Sequence, residues 1–295
     1  LAQLKDTGLA DATAAALGSS SGPLRLAALP ISTELNPGSA VGTLRRLVEQ
    51  GTDAEKQTAF ATLGALKQPE ADVILAEQLR KLDAGQVAPA AQLELLDAAA
   101  LRTDPAVKEA LAAHNAAIAA SKDPLAPYLM SLQGGSIAKG RRLFSTHPVL
   151  QCLRCHRDGH EWGGDAGPNL AGIGAAHPRE YVLESIVLPN AKIAAGFDTV
   201  VVTRKSGDVA AGVVTAEDAD AISLRDIDGK IVTVKKTDIK SRDAAPSPMP
   251  AVFGMVISRR ELRDLVAYVY SLKEKSTVPD SLSATPRALR PPPMD

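Results

Sequence analysis

Apolar positions recur at helical spacing through residues 1–125, which predicts a region built from α-helices. Two such series are Ala59, Phe60, Leu63, Leu66 and Leu93, Leu96, Ala100. Helix-breaking residues separate the apolar series, namely Gly51, Pro69, Gly85, Pro89 and Pro105. Shifted by about 35 residues, the pattern that starts at Gln57 lies over the pattern that starts at Gln92. A period of this size with paired helices is typical of a HEAT-like α-solenoid, and a generic helical bundle is the open alternative.

A second unit is predicted after residues 121–135, which contain Ser-Lys-Asp-Pro and a Gly-Gly pair and have the composition of a linker. Residues 137–144 and 178–188 have the apolar spacing of short helices, and a glycine-rich segment, residues 159–174, lies between them. Ser258 and Glu261 form the pattern of a capping box, which predicts a closing helix that runs to about residue 273. The last residues, 276–295, are Pro-rich, and we expect a tail without packed structure there.

The pattern becomes β-branched between residues 196 and 242. Residues 197–203, 209–214, 221–224 and 230–234 are predicted strands, and Asp228-Gly229 is a strong hairpin signal. Four short strands in this length predict a small antiparallel barrel or half-barrel. The expected fold is therefore mainly α, with a HEAT-like helical region at 1–125 and a second domain at 136–275 that carries a β-rich insertion at 196–242.

Composition agrees with a mainly helical chain. Hydrophobic residues make up 45% of the 295 residues and aromatic residues only 3%, so Ala and Leu, both strong helix formers, supply much of the apolar content. The net charge of -1 lacks the basic surplus of a nucleic-acid-binding protein. No apolar run of about 18 residues is present, and we expect no transmembrane helix. The sequence shows no signal peptide and begins with Leu1, so we expect a processed protein or part of a longer one.

The two cysteines of the chain both lie in the string Cys152-Leu153-Arg154-Cys155-His156. The pattern C-x-x-C-H is the attachment signature of a c-type haem, in which both thiols add to haem vinyl groups and the adjacent His reaches the iron. We therefore expect one covalent haem c, with His156 as the proximal iron ligand. A zinc half-site, which needs two more soft ligands, and a redox dithiol are the alternatives. Such attachment takes place outside the cytoplasm in bacteria, so we expect a periplasmic or otherwise extracytoplasmic protein whose signal has been removed.

The second unit resembles class I cytochromes c through four motifs in the family's order. These are Gly140-x-x-Leu143-Phe144, then Cys152 to His156, then Gly167-Pro168-Asn169-Leu170, and last Met249-Pro250 followed by Glu261-Leu262-x-Asp264-Leu265-Val266-x-Tyr268. The resemblance implies that Pro168 and Asn169 belong to the haem-binding loop and that the Pro168 carbonyl accepts a hydrogen bond from His156. It also implies that Met249 is the distal iron ligand and that the closing helix packs across the first one.

Residues 191–242 depart from a small cytochrome c. The run Pro189-Asn190-Ala191-x-Ile193, Gly196-Phe197, the strands and Ser247-x-Met249-Pro250 is similar to the C-terminal haem-binding domain of large bacterial proteins, many from planctomycetes and verrucomicrobia. Those proteins commonly fuse a sugar-dehydrogenase-like propeller, HEAT-like helices and this cytochrome. The helical stretch 1–125 fits the middle part, and the sequence contains no propeller. The resemblance implies a redox partner protein, such as a dehydrogenase.

Other side chains compete with Met249 for the second axial position. Met255 is the local competitor, although its spacing ahead of the closing helix suits a core residue better. Met130 and Met294 lie in the predicted linker and tail. Among the histidines, His177 is the second alternative to Met249. His114 and His147 are expected in solvent, and His160 is too near His156 in the sequence to reach the other face of the haem. Trp162 and Tyr181 are candidates to wall the haem, with ordinary core packing as the alternative.

Two classes of function follow from these residues. A haem with His and Met on its two faces has no open site for a substrate, which predicts electron transfer rather than an enzyme. The alternative is a haem enzyme or sensor in which the Met ligand is absent or labile, leaving the iron open to peroxide or a gas. The sequence offers no clear distal acid–base pair, which a peroxidase would use, and this favours electron transfer. The solenoid-like region could in addition provide a docking surface for a partner.

Overall fold

The chain forms a mainly helical protein with one small antiparallel sheet of five strands. The computed structural model describes residues 8–160 and 163–274. Contacts divide the chain into two units, Leu1–Gly134 and Gly135–Asp295. The predicted tail 276–295 lies outside the described residues.

The first unit contains seven α-helices within its described residues. They are α1 (Leu9–Leu17), α2 (Gly22–Leu35), α3 (Pro37–Gln50), α4 (Asp53–Ala65), α5 (Pro69–Asp83), α6 (Gln92–Ala100) and α7 (Pro105–Ala120), with short 3₁₀ helices at Pro89–Ala91 and Ala126–Ser131. Two of the predicted breakers, Pro69 and Pro105, occupy the first positions of helices. Proline is favoured there because the backbone N–H at that position has no partner within the helix. These prolines therefore start helices as well as separating them.

Helix α4 packs against α6, and α5 packs against α7. The two segments related by the predicted repeat are thus neighbours in space. Phe60 and Leu63 of α4 and Leu93 of α6 are fully buried in a common core. Gly64 permits the close approach, because a Cβ at this position would lie 2.8 Å from the Cα of Ala98.

One prediction for this unit was wrong. His114 was expected in solvent, but it is buried and its Nδ1 lies 2.7 Å from Asp83 Oδ1. The boundary between the two units, at Gly134 and Gly135, falls within the predicted linker 121–135, part of which forms the 3₁₀ helix Ala126–Ser131. Met130 joins the core of the first unit. His114 and Met130 gain burial from contacts with distant parts of the chain, which local composition does not report.

The second unit contains the remaining described α-helices and a short 3₁₀ helix at Lys236–Asp238. The α-helices are α8 (Ile137–Thr146), α9 (Cys152–Cys155), α10 (Ile173–Ala176), α11 (Arg179–Val187), α12 (Phe253–Val256) and α13 (Arg259–Ser271). The capping box predicted at Ser258 and Glu261 is confirmed at the start of α13. Helix α13 packs across α8. Gly140 lies at this crossing, and the rings of Phe144 and Tyr268 meet beside it at a centroid distance of 5.5 Å.

The sheet lies between α11 and α12 in the sequence. Its strands are β1 (Thr199–Arg204), β2 (Val209–Glu217), β3 (Ala221–Arg225), β4 (Ile231–Lys235) and β5 (Ile239–Ala245), in the spatial order β4-β3-β2-β1-β5. All neighbouring strands are antiparallel. Apolar side chains from every strand contribute to one small core that includes Val202, Ile222 and Val234.

Strand β5 was not predicted, and it runs beyond the expected end of the insertion at residue 242. Its sequence, Ile-Lys-Ser-Arg-Asp-Ala-Ala, has little β-branched character, and most of its residues are exposed. The strand lies at the edge of the sheet and pairs with β1 through the register Thr199↔Ala245 to Thr203↔Ser241. Backbone pairing to β1, rather than an alternating apolar pattern, therefore makes this segment a strand.

Candidate functional site

The two cysteines begin and end the short helix α9. Positions three residues apart lie on the same side of a helical turn, so both thiols are presented together. Gln151, the residue before α9, has a φ of 45°, which is rare for a residue other than glycine and turns the chain sharply into the helix. Strained backbone of this kind persists where the surrounding structure enforces it.

His156 follows α9 directly, and one hydrogen bond sets the orientation of its ring. Its Nδ1 lies 2.8 Å from the backbone carbonyl oxygen of Pro168. A carbonyl can only accept, so Nδ1 must carry the proton and donate it. The hydrogen bond that the family resemblance implies is therefore confirmed. Burial lowers the pKa of His156, which favours the neutral ring, and a neutral ring protonated at Nδ1 has a free lone pair on Nε2.

Gly167 packs directly against this imidazole, a contact that the sequence did not reveal. A Cβ at Gly167 would lie 2.5 Å from His156 Cε1 and 2.8 Å from Nδ1. Its backbone N–H also donates to the carbonyl oxygen of Cys155 at 2.7 Å. The only sequence signal was a glycine immediately before Pro168, and glycine here allows the loop to lie flat on the ring.

The predicted loop residue Asn169 has a local role. Its Oδ1 accepts from the backbone N–H of Ala171 at 3.1 Å, which closes a turn. Further along, Arg225 of β3 donates to the carbonyl oxygen of Asp165 at 2.8 Å. The sheet and the loop that carries Pro168 are thus joined by a hydrogen bond.

Met249 lies in the segment between β5 and α12. Its backbone N–H donates to Ser247 Oγ at 3.2 Å, and the N–H of Ser247 donates to Asn190 Oδ1 at 2.7 Å. The resemblance to bacterial haem-binding domains includes Asn190 and Ser247 and implies no role for either residue. The structure places them together beside Met249.

One pocket brings together five of the six predicted site residues, all except Asn169. Cys152, Cys155, His156, Pro168 and Met249 all line it, and the space between its walls is about 1180 Å³, with open solvent at its mouth included. The walls are mainly apolar and come from α8, α11, α12 and α13 and the loops between them; they include Phe144, Leu150, Val182, Ile186, Phe253 and Leu265. These wall residues were not predicted as site residues, because a helix's buried face does not show in sequence whether it meets protein or a ligand.

The competing ligands lie elsewhere. Met255 was expected in the core, but it is 74% exposed. His160 is exposed, and His177 is exposed and stacks on Tyr181 at a centroid distance of 3.9 Å. Tyr181 itself lines the pocket. Trp162, the other aromatic candidate for the haem wall, lies outside the described residues.

His147 was expected to be exposed, but it is only partly so. Its Nδ1 accepts from the backbone N–H groups of Val149 and Leu150, both at 3.2 Å. The ring therefore supports the turn that leads into α9.

The thiols of this pocket are weak acids. Burial raises the pKa of Cys152 to about 12 and also raises the pKa of Cys155. Redox-active dithiols have the opposite property, a lowered pKa that makes the thiolate available near neutral pH. Burial at this site therefore favours the protonated thiols over the thiolates.

Comparison of the chain with models of known protein families and with curated proteins finds no match. In residues 8–160 and 163–274, no three His, Cys, Asp or Glu side chains come together as a site for a metal ion. Within the same residues, no helix has the length and apolar character needed to cross a membrane.

Proposed function

We propose that this chain is an electron-transfer protein of the class I cytochrome c type, with one covalently bound haem c, and that it is not an enzyme. One observation carries the proposal: Cys152, Cys155, His156 and Met249 line the same apolar pocket, although Met249 is far from the other three in sequence. When bound, haem supplies a one-electron carrier, and the protein sets its orientation and potential.

The donor set of the pocket suits the iron of such a group. His156 offers Nε2, because Nδ1 is committed to the Pro168 carbonyl and the ring is kept neutral by burial. Met249 offers a neutral thioether sulfur, a soft ligand that raises the reduction potential of a haem relative to a second imidazole. Apolar walls such as Val182 and Leu265 suit a flat apolar ring system.

The two thiols suit covalent attachment. Each S–H would add across one vinyl double bond, so that a carbon–sulfur bond forms and the thiol hydrogen passes to the other vinyl carbon, with no oxidant required. Helix α9 presents both sulfur atoms on one side. The raised pKa values of Cys152 and Cys155 argue against the redox-dithiol alternative.

The first unit belongs to the same proposal as a HEAT-like region. Its support is the stacking of equivalent helices, α4 on α6 and α5 on α7, as expected for successive helical pairs. We propose that it serves as a spacer or as a docking surface for a redox partner protein such as a dehydrogenase. Because C-x-x-C-H is loaded with haem outside the cytoplasm in bacteria, we propose a periplasmic or otherwise extracytoplasmic location.

The test is to produce the chain together with a bacterial haem-attachment system and to record its mass and a redox-titrated visible spectrum. We expect the mass of one haem to remain on the denatured chain, and a weak absorption band at the red end of the spectrum of the oxidised protein, as Met–Fe(III) ligation gives. The double variant Cys152→Ala/Cys155→Ala should lose covalent haem. Met249→Ala should keep the haem mass, lose the red-end band and titrate at a lower potential.

Met255→Ala is the matched control, because Met255 is a nearby methionine whose side chain is exposed. It should leave both the band and the potential unchanged. A chain without covalent haem would overturn the proposal as a whole. Loss of the band in Met255→Ala, or its survival in Met249→Ala, would overturn the assignment of the distal ligand.

A further inference from the structure

The segment that carries Met249 has few backbone donors. Residues 246–250 read Pro-Ser-Pro-Met-Pro. Proline has no backbone N–H, so Ser247 and Met249 supply the two N–H groups of these five residues. Both are used: Met249 donates to Ser247 Oγ at 3.2 Å, and Ser247 donates to Asn190 Oδ1 at 2.7 Å. Asn190 is therefore the acceptor that ties this segment's backbone donors to another part of the protein.

Asn190 lies in a stretch of chain that local contacts hold to the end of α11. The N–H of Ala191 donates to the carbonyl oxygen of Leu188 at 2.8 Å. Lys192 forms an ion pair of 2.7 Å with Glu184 of α11. Helix α11 in turn contributes Val182 and Ile186 to the pocket wall. The Asn190 side chain thus links the Met249 segment to the stretch of chain that follows α11, a helix of the pocket wall.

The place of Asn190 in the chain explains why such a link is useful. Asn190 precedes the sheet, and Ser247 follows it. Pairing of β1 with β5 ends at Ala245, so the ladder does not extend to the Met249 segment. The first N–H after the end of β5 belongs to Ser247, since residue 246 is a proline. Asn190 Oδ1 accepts the hydrogen bond from this N–H.

We propose that Asn190 is a positioning residue for the distal ligand: it holds the Met249 segment against α11 so that the Met249 sulfur stays directed into the pocket. The inference rests on the proposed function, because it takes Met249 as an iron ligand. A neutral hydrogen bond of this kind changes an equilibrium about fivefold. Removing it should weaken Met249 ligation by about that factor without unfolding the protein, because Asn190 is exposed and water can reach the freed Ser247 N–H.

The measurement is a titration of the oxidised, haem-loaded protein with imidazole, which competes with Met249 for the iron. Since imidazole must displace the Met ligand, weaker Met249 ligation appears directly as tighter imidazole binding. We expect Asn190→Ala to bind imidazole about fivefold more tightly than the parent chain. Asn190→Asp keeps an acceptor oxygen for Ser247 and should stay within about twofold of the parent. Asn115→Ala, at an exposed asparagine of α7, is the control and should leave the affinity unchanged.

Two results would overturn the inference: an Asn190→Ala variant within about twofold of the parent, or an Asn190→Asp variant that gains as much affinity as Asn190→Ala. If Asn190→Ala does not accumulate as folded protein, Asn190→Leu replaces it, because leucine has a similar volume and lacks the acceptor of the Ser247 N–H. That variant should also bind imidazole more tightly, and an unchanged affinity would refute the role of Asn190. If the parent chain carries haem and the variants do not behave as expected, only this inference is refuted. If the parent chain carries no covalent haem, the proposed function is refuted as well.

Discussion

The crossing of α8 and α13 offers a sharp test of the packing that builds the pocket. Gly140 of α8 touches the backbone of α13, and a Cβ at this position would overlap the carbonyl oxygen of Asp264 and lie 2.7 Å from Tyr268 Cβ. Ordinary contacts of a Cβ begin near 3.4 Å, and the overlapped atom belongs to the backbone, which cannot rotate aside. The change Gly140→Ala must therefore push the two helices apart.

The expected cost follows from two opposing effects. Overpacking a well-filled site destabilises by about 1–3 kcal/mol, and the backbone overlap places Gly140→Ala at the upper end of that range. Replacing a helical glycine by alanine recovers about 1 kcal/mol of helix propensity. The net expectation is a loss of about 2 kcal/mol in the free energy of unfolding.

Gly42 of α3 provides a control with the same chemistry and no steric conflict. It is an exposed helical glycine, and nothing lies within 4 Å of the Cβ that Gly42→Ala would add. This variant should gain up to about 1 kcal/mol, so the two substitutions should have opposite signs. Urea unfolding followed by circular dichroism gives the free energies, and hydrogen exchange of peptides from α8 and α13 localises the effect. A Gly140→Ala variant at least as stable as the parent would refute the close-packed crossing.

Two further predictions concern Glu55 and His156. The backbone N–H of Thr52 and the Arg25 side chain lower the pKa of Glu55, so its stabilising contribution is present above the unfolded pKa of about 4.3 and is lost as pH falls through the lower folded value. The difference in unfolding free energy between the parent and Glu55→Gln should therefore shrink from pH 6 to pH 3, and a constant difference would contradict this prediction. Gly167→Ala would place a methyl group 2.5 Å from His156 Cε1, so we expect the ring to leave its hydrogen bond with Pro168. The visible spectrum and the reduction potential of the haem-loaded protein should then shift, whereas Gly42→Ala should leave both unchanged.

Local signals were enough for much of the secondary structure. A capping box needs only residues three apart, and the one at Ser258 and Glu261 forms as predicted. Phe60 and Leu63 of the predicted apolar series are buried, because a helix places positions with this spacing on one face. These features depend on neighbours within one or two turns, and the sequence lists those neighbours directly.

Features that depend on distant partners were missed. Strand β5 exists because β1 offers it backbone pairing, and its own side chains carry little β preference. His114 is buried because α5 brings Asp83 to it. Met255, expected in the core, is exposed because α12 turns its side chain outward.

The same division applies to the candidate site. The sequence by itself determined the chemistry, because C-x-x-C-H places two thiols and an imidazole within five residues whatever the rest of the chain does. Only the tertiary structure decided that Met249 lines the same pocket and that Asn190 accepts a hydrogen bond from the segment that carries it. It also decided that Gly167 lies against the His156 ring. Contacts of this kind join residues separated by a whole sheet or loop, and their geometry is set by how helices and strands pack, which no local pattern of residues records.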